Sequence, residues 1–127
     1  MRPYATMSLA AIGVVASLAS FTLSHAQVSQ CQTRGNWAGW GQNGEAAFDV
    51  GPGQACTIGV NTYGRIENTK VARQPAHGKV RQIDLSNFEY RADPGFTGTD
   101  SFVLEGTGHD PGGPNEASAV TMTVNVR

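Results

Sequence analysis

Residues 87–104 read NFEYRADPGFTGTDSFVL, and the fold follows from them. Phe88 and Tyr90 alternate with Glu89 and Arg91, the period-two pattern of a half-buried strand. Phe102 and Leu104 repeat that pattern on the far side of Asp93-Pro94-Gly95. Pro presets φ and Gly accepts positive φ, so this tripeptide is a turn. The stretch therefore predicts two short aromatic strands joined by a glycine turn, with Phe96 and Phe102 filling the core and Asp100 accepting N–H bonds from its own turn.

The same punctuation continues outward. Residues 45–50 (EAAFDV) put Ala46, Phe48 and Val50 on one face, and Gly51-Pro52-Gly53 ends that strand. Residues 54–60 put Cys56, Ile58 and Val60 on one face, pointing Cys56 inward. Residues 65–74 form a weaker strand around Ile66 and Val71. In residues 79–85, Val80 and Ile83 fall out of alternation, which a bulge or a strand break near Gln82 would reconcile. Residues 106–116 (GTGHDPGGPNE) read as a long Gly/Pro loop. Residues 118–126 are the cleanest strand, with Val120, Met122, Val124 and Val126 on one face. So long a strand of such β propensity belongs at the centre of a sheet, since at an edge it would template aggregation. About seven short strands at spacings near ten residues, with no helix between them, predict an antiparallel Greek-key β-sandwich.

Residues 1–26 stand apart. Arg2 is followed by the apolar run LAAIGVVASLASFTL (9–23), then by Ser24-His25-Ala26 with small residues at the −3 and −1 positions of a cleavage site. This is the pattern of a secretory signal peptide. The run is shorter than the roughly 20 residues that span hydrocarbon. The expected organisation is a leader over 1–26 and a domain over 27–127, itself opening with a Gly- and Trp-rich lead-in at 27–44. The expected location is exported, periplasmic or extracellular, with no membrane attachment after cleavage. In that compartment Cys31 and Cys56 are expected to pair rather than stay as two thiols. The bridge would close a loop of about 25 residues and contribute about 3 kcal/mol.

A formal net charge of −1 gives no reason to expect nucleic acid as a partner. Two Cys without paired His cannot complete a zinc site. No G-x-S-x-G, phosphate loop or H-E-x-x-H occurs, so no catalytic residue, metal or other cofactor is expected. Trp37 and Trp40, three apart in the lead-in, are either an aromatic platform for a sugar or protein partner or a cap on the core. His109 beside Asp110 is the remaining candidate for a binding surface, with a solvated loop as the plainer alternative.

Residues 74–80 (QPAHGKV), 88–108 (FEYRADPGFTGTDSFVLEGTG) and 119–126 (AVTMTVNV) together resemble the bacterial Ig-like and cadherin-like modules. Those repeat the pattern P-x-H-G-x-V … Y-x-P-x-x-G-F-x-G-x-D-S-F … V-x-V-x-V. Tyr90, Phe96, Gly98, Asp100, Ser101 and Phe102 fall at the matching spacings; Y-R-A-D-P replaces the usual Y-x-P. The match covers about half of residues 27–127, and the lead-in is more like short single-domain secreted forms. The resemblance implies an Ig-like antiparallel sandwich and a spacer, adhesive or binding role without catalysis. It raises calcium at Asp93, Asp100, Asp110 and Glu116, but the D-x-N-D-N and D-R-E linker motifs that hold it between cadherin modules are absent. A second expectation, of another class, is a secreted hydrolase inhibitor that uses the 106–116 loop.

Overall fold

A computed structural model describes residues 10–20, 28–36, 39–60 and 64–127. Trp37, Arg2 and the Ser24-His25-Ala26 cleavage pattern lie outside the described residues. Residues 10–20 have no regular structure, and Ile12, Val14, Val15 and Leu18 are exposed. Among the described residues there is no helix, and so none long and apolar enough to cross a membrane.

The chain is all-β. In order come β1 (Arg34–Asn36), β2 (Gly44–Val50), β3 (Ala55–Gly59), β4 (Arg65–Arg73), β5 (Gly78–Gln82), β6 (Asn87–Ala92), β7 (Gly98–His109) and β8 (Glu116–Val126). They form two sheets, a five-stranded one in the order β1-β2-β8-β7-β4 and a three-stranded one in the order β3-β6-β5. The core lies between the sheets in a sandwich-like arrangement. β8 is the central strand of the larger sheet. Its Met122, Val124 and Val126 are buried, as the alternation predicts.

Phe48, Tyr90 and Phe102 come from three different strands and are wholly buried. Phe48 meets Tyr90 edge-on at 5.6 Å, and Tyr90 stacks on Phe102 at 5.7 Å. These are the offset and edge-to-face geometries that aromatic quadrupoles favour. Phe96 differs from expectation. It sits half-buried at the margin of the core, because the turn carries it past the sheet before β7 begins at Gly98.

Among the eight strands, pairing departs from the antiparallel expectation between β2 and β8, which run parallel from Gly44↔Val120 to Val50↔Val126. The turn after β2 does not fold back into a hairpin. Gln54 N–H bonds to the Gly51 carbonyl, and the chain crosses to the other sheet as β3. β2 is thus left to lie beside the last strand in the same direction. The other five strand pairs, among the described residues, are antiparallel.

The irregular segment near Gln82 is a strand break. β5 stops there, and Ile83 and Leu85 point to solvent. The Asp84 carboxylate accepts the N–H groups of Ser86 and Asn87, both at 2.9 Å, and so turns the chain into β6. The free edge of β5 is blunted by the Gln74 side chain. Its amide accepts from Val80 N–H and donates to Val80 C=O, both at 3.0 Å, as a neighbouring strand would.

Candidate functional site

Residues of the recognisable motif meet at one end of the sandwich. Asp100 is only 4% exposed. Its carboxylate accepts from Tyr90 O–H (2.9 Å), Ala76 N–H (3.1 Å), His77 N–H (3.2 Å) and Ser101 N–H (3.0 Å). Three of those donors lie outside its own turn. Asp100 therefore clasps the 75–77 turn to β7, a longer reach than its local sequence suggested. Burial, and then the bond to Asp100, push the Tyr90 phenol well above its ordinary value. The imidazole of His77 stacks on Phe96, with ring centroids 4.0 Å apart and planes within 7°. Gly78 is required beside it, because a Cβ there would lie 2.8 Å from the Tyr90 hydroxyl oxygen and 2.6 Å from the Arg91 carbonyl oxygen. Three of the four bonds to Asp100 hold backbone N–H groups and the fourth holds the Tyr90 hydroxyl, which makes the cluster an anchor.

The lead-in is fixed at two places. Cys31 and Cys56 form a disulfide with Cα atoms 5.0 Å apart. Next to it, Cys31 N–H donates to Thr57 C=O and Thr57 N–H donates to Ser29 C=O, so residues 29–31 run along β3 as a partial edge strand. Further on, Trp40 is buried at 5% exposure. It offers no open ring to a ligand, and the cap alternative describes it. Its indole lies against Gly106 and Gly108 of β7, where a Cβ on Gly108 would come within 2.3 Å of the ring.

This packing also corrects the 106–116 loop. Residues 106–109 belong to β7, Glu116 opens β8, and the actual turn is residues 110–115. Gly106 and Gly108 are inward strand positions left without side chains to admit Trp40, a close-approach use of glycine and not a turn signal.

His109 and Asp110 are adjacent, yet their contact runs from the imidazole Nδ1 to the Asp110 backbone carbonyl at 3.1 Å. The carboxylate that reaches the imidazole belongs to Glu67, 3.5 Å from Nε2, and Glu67 also pairs with Arg65 at 3.2 Å. Pairing of Arg65 with His109, and a register shift between Ile66 and Asn68, bring these three together. Alternation alone carries no signal for that bulge, so Glu67 was not singled out. Among the described residues, no group of three or more His, Cys, Asp or Glu side chains could hold a metal.

A polar depression lies on the outer face of the larger sheet. A trough of about 500 Å³ crosses β8, β7 and β4. Ala117 and Ala119 form its floor, with Thr107 and Glu105 paired opposite them. Asn68 and Lys70 of β4 close one side, and Asn43 closes the other. Lys70 and Glu105 pair with each other at 3.4 Å. Asn43 is held by Ala119 N–H, which donates to its side-chain oxygen at 3.1 Å. The approach to β2 is held by the Ser118 hydroxyl, which accepts from Gly41 N–H at 2.9 Å and donates to Gly39 C=O at 3.3 Å. No protein-family model matches this chain, and no curated protein does. The trough is therefore interpreted from its own geometry.

Proposed function

We propose that the chain is an exported, non-catalytic Ig-like module with a binding, adhesive or structural role in the bacterial envelope or outside the cell. The observation that carries this is the Cys31–Cys56 disulfide, a bond that persists in oxidising compartments and ties the lead-in to the first strand of the smaller sheet. The leader-like pattern of residues 1–26 supports the same compartment. The strand orders support the Ig-like topology. Lettering β2 to β8 as A to G gives B-E-D in one sheet and A-G-F-C in the other. With Asp100 anchoring backbone and His77 stacked on Phe96, the motif residues support a scaffold role.

Mass spectrometry of the protein recovered after expression in a bacterial host tests this. The expected product begins at Gln27, comes from the periplasm or medium, and takes up alkylating reagent at two cysteines only after reduction. Protein that keeps Met1 in the cytoplasm, or that alkylates without reductant, would overturn the proposal. A second reading, a hydrolase inhibitor, draws on the tip of the β7–β8 hairpin. That tip is paired up to Gly108↔Glu116, and its turn is closed by Gly113 N–H to Asp110 C=O at 2.8 Å, so it presents a short fixed turn.

A further inference from the structure

We propose that the trough across β8, β7 and β4 is a subsite for a neutral oligosaccharide; this deepens the exported-module reading and rests on it. The argument begins with charge. The ionic groups in the trough are Lys70 and Glu105, and they are paired with each other. An anionic ligand would have to displace Glu105 from Lys70, and a cationic one would have to displace Lys70 from Glu105, so an uncharged ligand alone leaves the pair intact.

Hydrogen-bonding capacity points the same way. Among the described residues, the side chains of Asn68 and Thr107 make no hydrogen bond to protein, and Asn43 uses only its oxygen, leaving its NH2 available. Amides and hydroxyls both donate and accept, which suits sugar hydroxyls with the same dual character. The methyl groups of Ala117 and Ala119 supply an apolar strip between the polar walls, matching the C–H face of a pyranose ring. Three strand spacings separate Asn43 from Lys70, about 14 Å, so the ligand is a short chain and not a single sugar.

The site is also built on rigid elements. The floor belongs to the β7–β8 ladder, whose register runs unbroken from Gly98↔Val126 to Gly108↔Glu116, and Trp40 braces Gly106 and Gly108 from behind. Beyond Asn43 a second trough of about 680 Å³ continues over Arg34, Glu45, Thr121 and Thr123. A longer glycan would therefore have a continuous polar path across the sheet.

The test is an NMR titration of the ¹⁵N-labelled secreted protein with cellohexaose, maltohexaose, chitohexaose and, as a charged control, hexagalacturonate. The expected result is saturable shifts for at least one neutral sugar at Asn43, Asn68, Lys70, Glu105, Thr107 and the two alanines. Asn68→Ala should weaken that binding about tenfold, the loss of roughly one hydrogen bond. Ala119→Tyr, at an outward position, should fill the floor and abolish it. Should the tyrosine variant fail to fold, Asn68→Ala decides alone. No shifts with any neutral sugar, shifts confined to the 75–100 end, a response to hexagalacturonate only, or binding untouched by Asn68→Ala would each overturn the proposal. Because the labelled protein is taken from the secreted fraction, a negative titration sinks the trough and leaves the export reading standing, whereas a failure of export shows itself before any sugar is added.

Discussion

The two halves of β7 make opposite use of polar side chains. Near its start, Asp100 is buried and four donors surround it. Seven residues on, roughly 23 Å along the strand, the side chains of Thr107 and its neighbour Asn68 face solvent without a hydrogen bond to protein among the described residues. A buried polar group must be paired or it costs the fold its full desolvation, while an exposed one keeps water until a ligand replaces it. The first arrangement is what a folding device looks like, and the second is what a binding surface looks like. The recognisable motif thus marks the part of the strand least available for recognition, and a surface of ordinary amides, hydroxyls and alanines marks the most available part.

The comparison can be broken most forcefully at the clasp. Asp100→Ala leaves the Tyr90 hydroxyl and the Ala76 and His77 N–H groups without their acceptor. We expect a loss of about 3 kcal/mol in urea denaturation; a loss under about 1 kcal/mol would mean that water replaces the carboxylate and that the cluster is dispensable. Gly108→Ala comes next. Its Cβ would collide with the Trp40 ring and with the Arg65 carbonyl, and overpacking of this kind costs about 2 kcal/mol. The expected accompanying sign is altered tryptophan fluorescence in the folded protein, and an unchanged spectrum with unchanged stability would contradict the packing of Trp40 on β7.

Acid and alkali sharpen the contrast more gently. Hydrogen bonds from Arg34, then Asn125 and Arg127, lower the pKa of Asp49, and the Ser86 N–H and Asn87 amide lower that of Asp84. Both carboxylates bind protons more readily when unfolded. Their stabilisation is thus complete above the ordinary carboxylate pKa of about 4 and disappears as pH falls below it through the lower folded values. The urea midpoint should be level from pH 7 towards 5 and fall below 4; a rise on acidification would contradict these assignments. Tyr90 has the opposite sense. Its raised pKa means that the unfolded chain loses the phenol proton first, so stability should decline as pH rises above about 10. Tyr90→Phe should flatten that alkaline decline. The smallest effect is expected in the trough: Asn68→Ala and Thr107→Ala should each leave stability within about 0.5 kcal/mol of the parent. A larger loss would place these residues in the fold and remove the contrast.

How much of this was legible in the sequence follows from what each residue type can signal. Phe48, Cys56, Ile58, Phe88, Tyr90 and the Val120–Val126 ladder were legible because burial imposes a period of two. The disulfide was legible from the leader-like pattern of residues 1–26 and the two cysteines. The parallel alignment of β2 with β8 was not, since alternation is the same in either direction of pairing. Gly106 and Gly108 were misread as loop because glycine serves both turns and close approach, and only Trp40 on the other side distinguishes the two. The reach of Asp100 to Ala76 and His77 spans more than twenty residues and has no local signature. The trough was illegible for a further reason: it is an effect of register. Ala119 and Ala117 are common residues that become a floor only when Glu105 and Thr107 pair opposite them and β4 adds Asn68 and Lys70 beside.

The claim that the motif end is a structural clasp is tested most directly by a double-mutant cycle in urea with Tyr90→Phe, Asp100→Ala and the pair together. The account predicts that the two substitutions are coupled by about 1.5 kcal/mol, because each removes the other's buried partner. Losses that simply add to within about 0.5 kcal/mol would show that Tyr90 and Asp100 act independently, and would contradict the clasp.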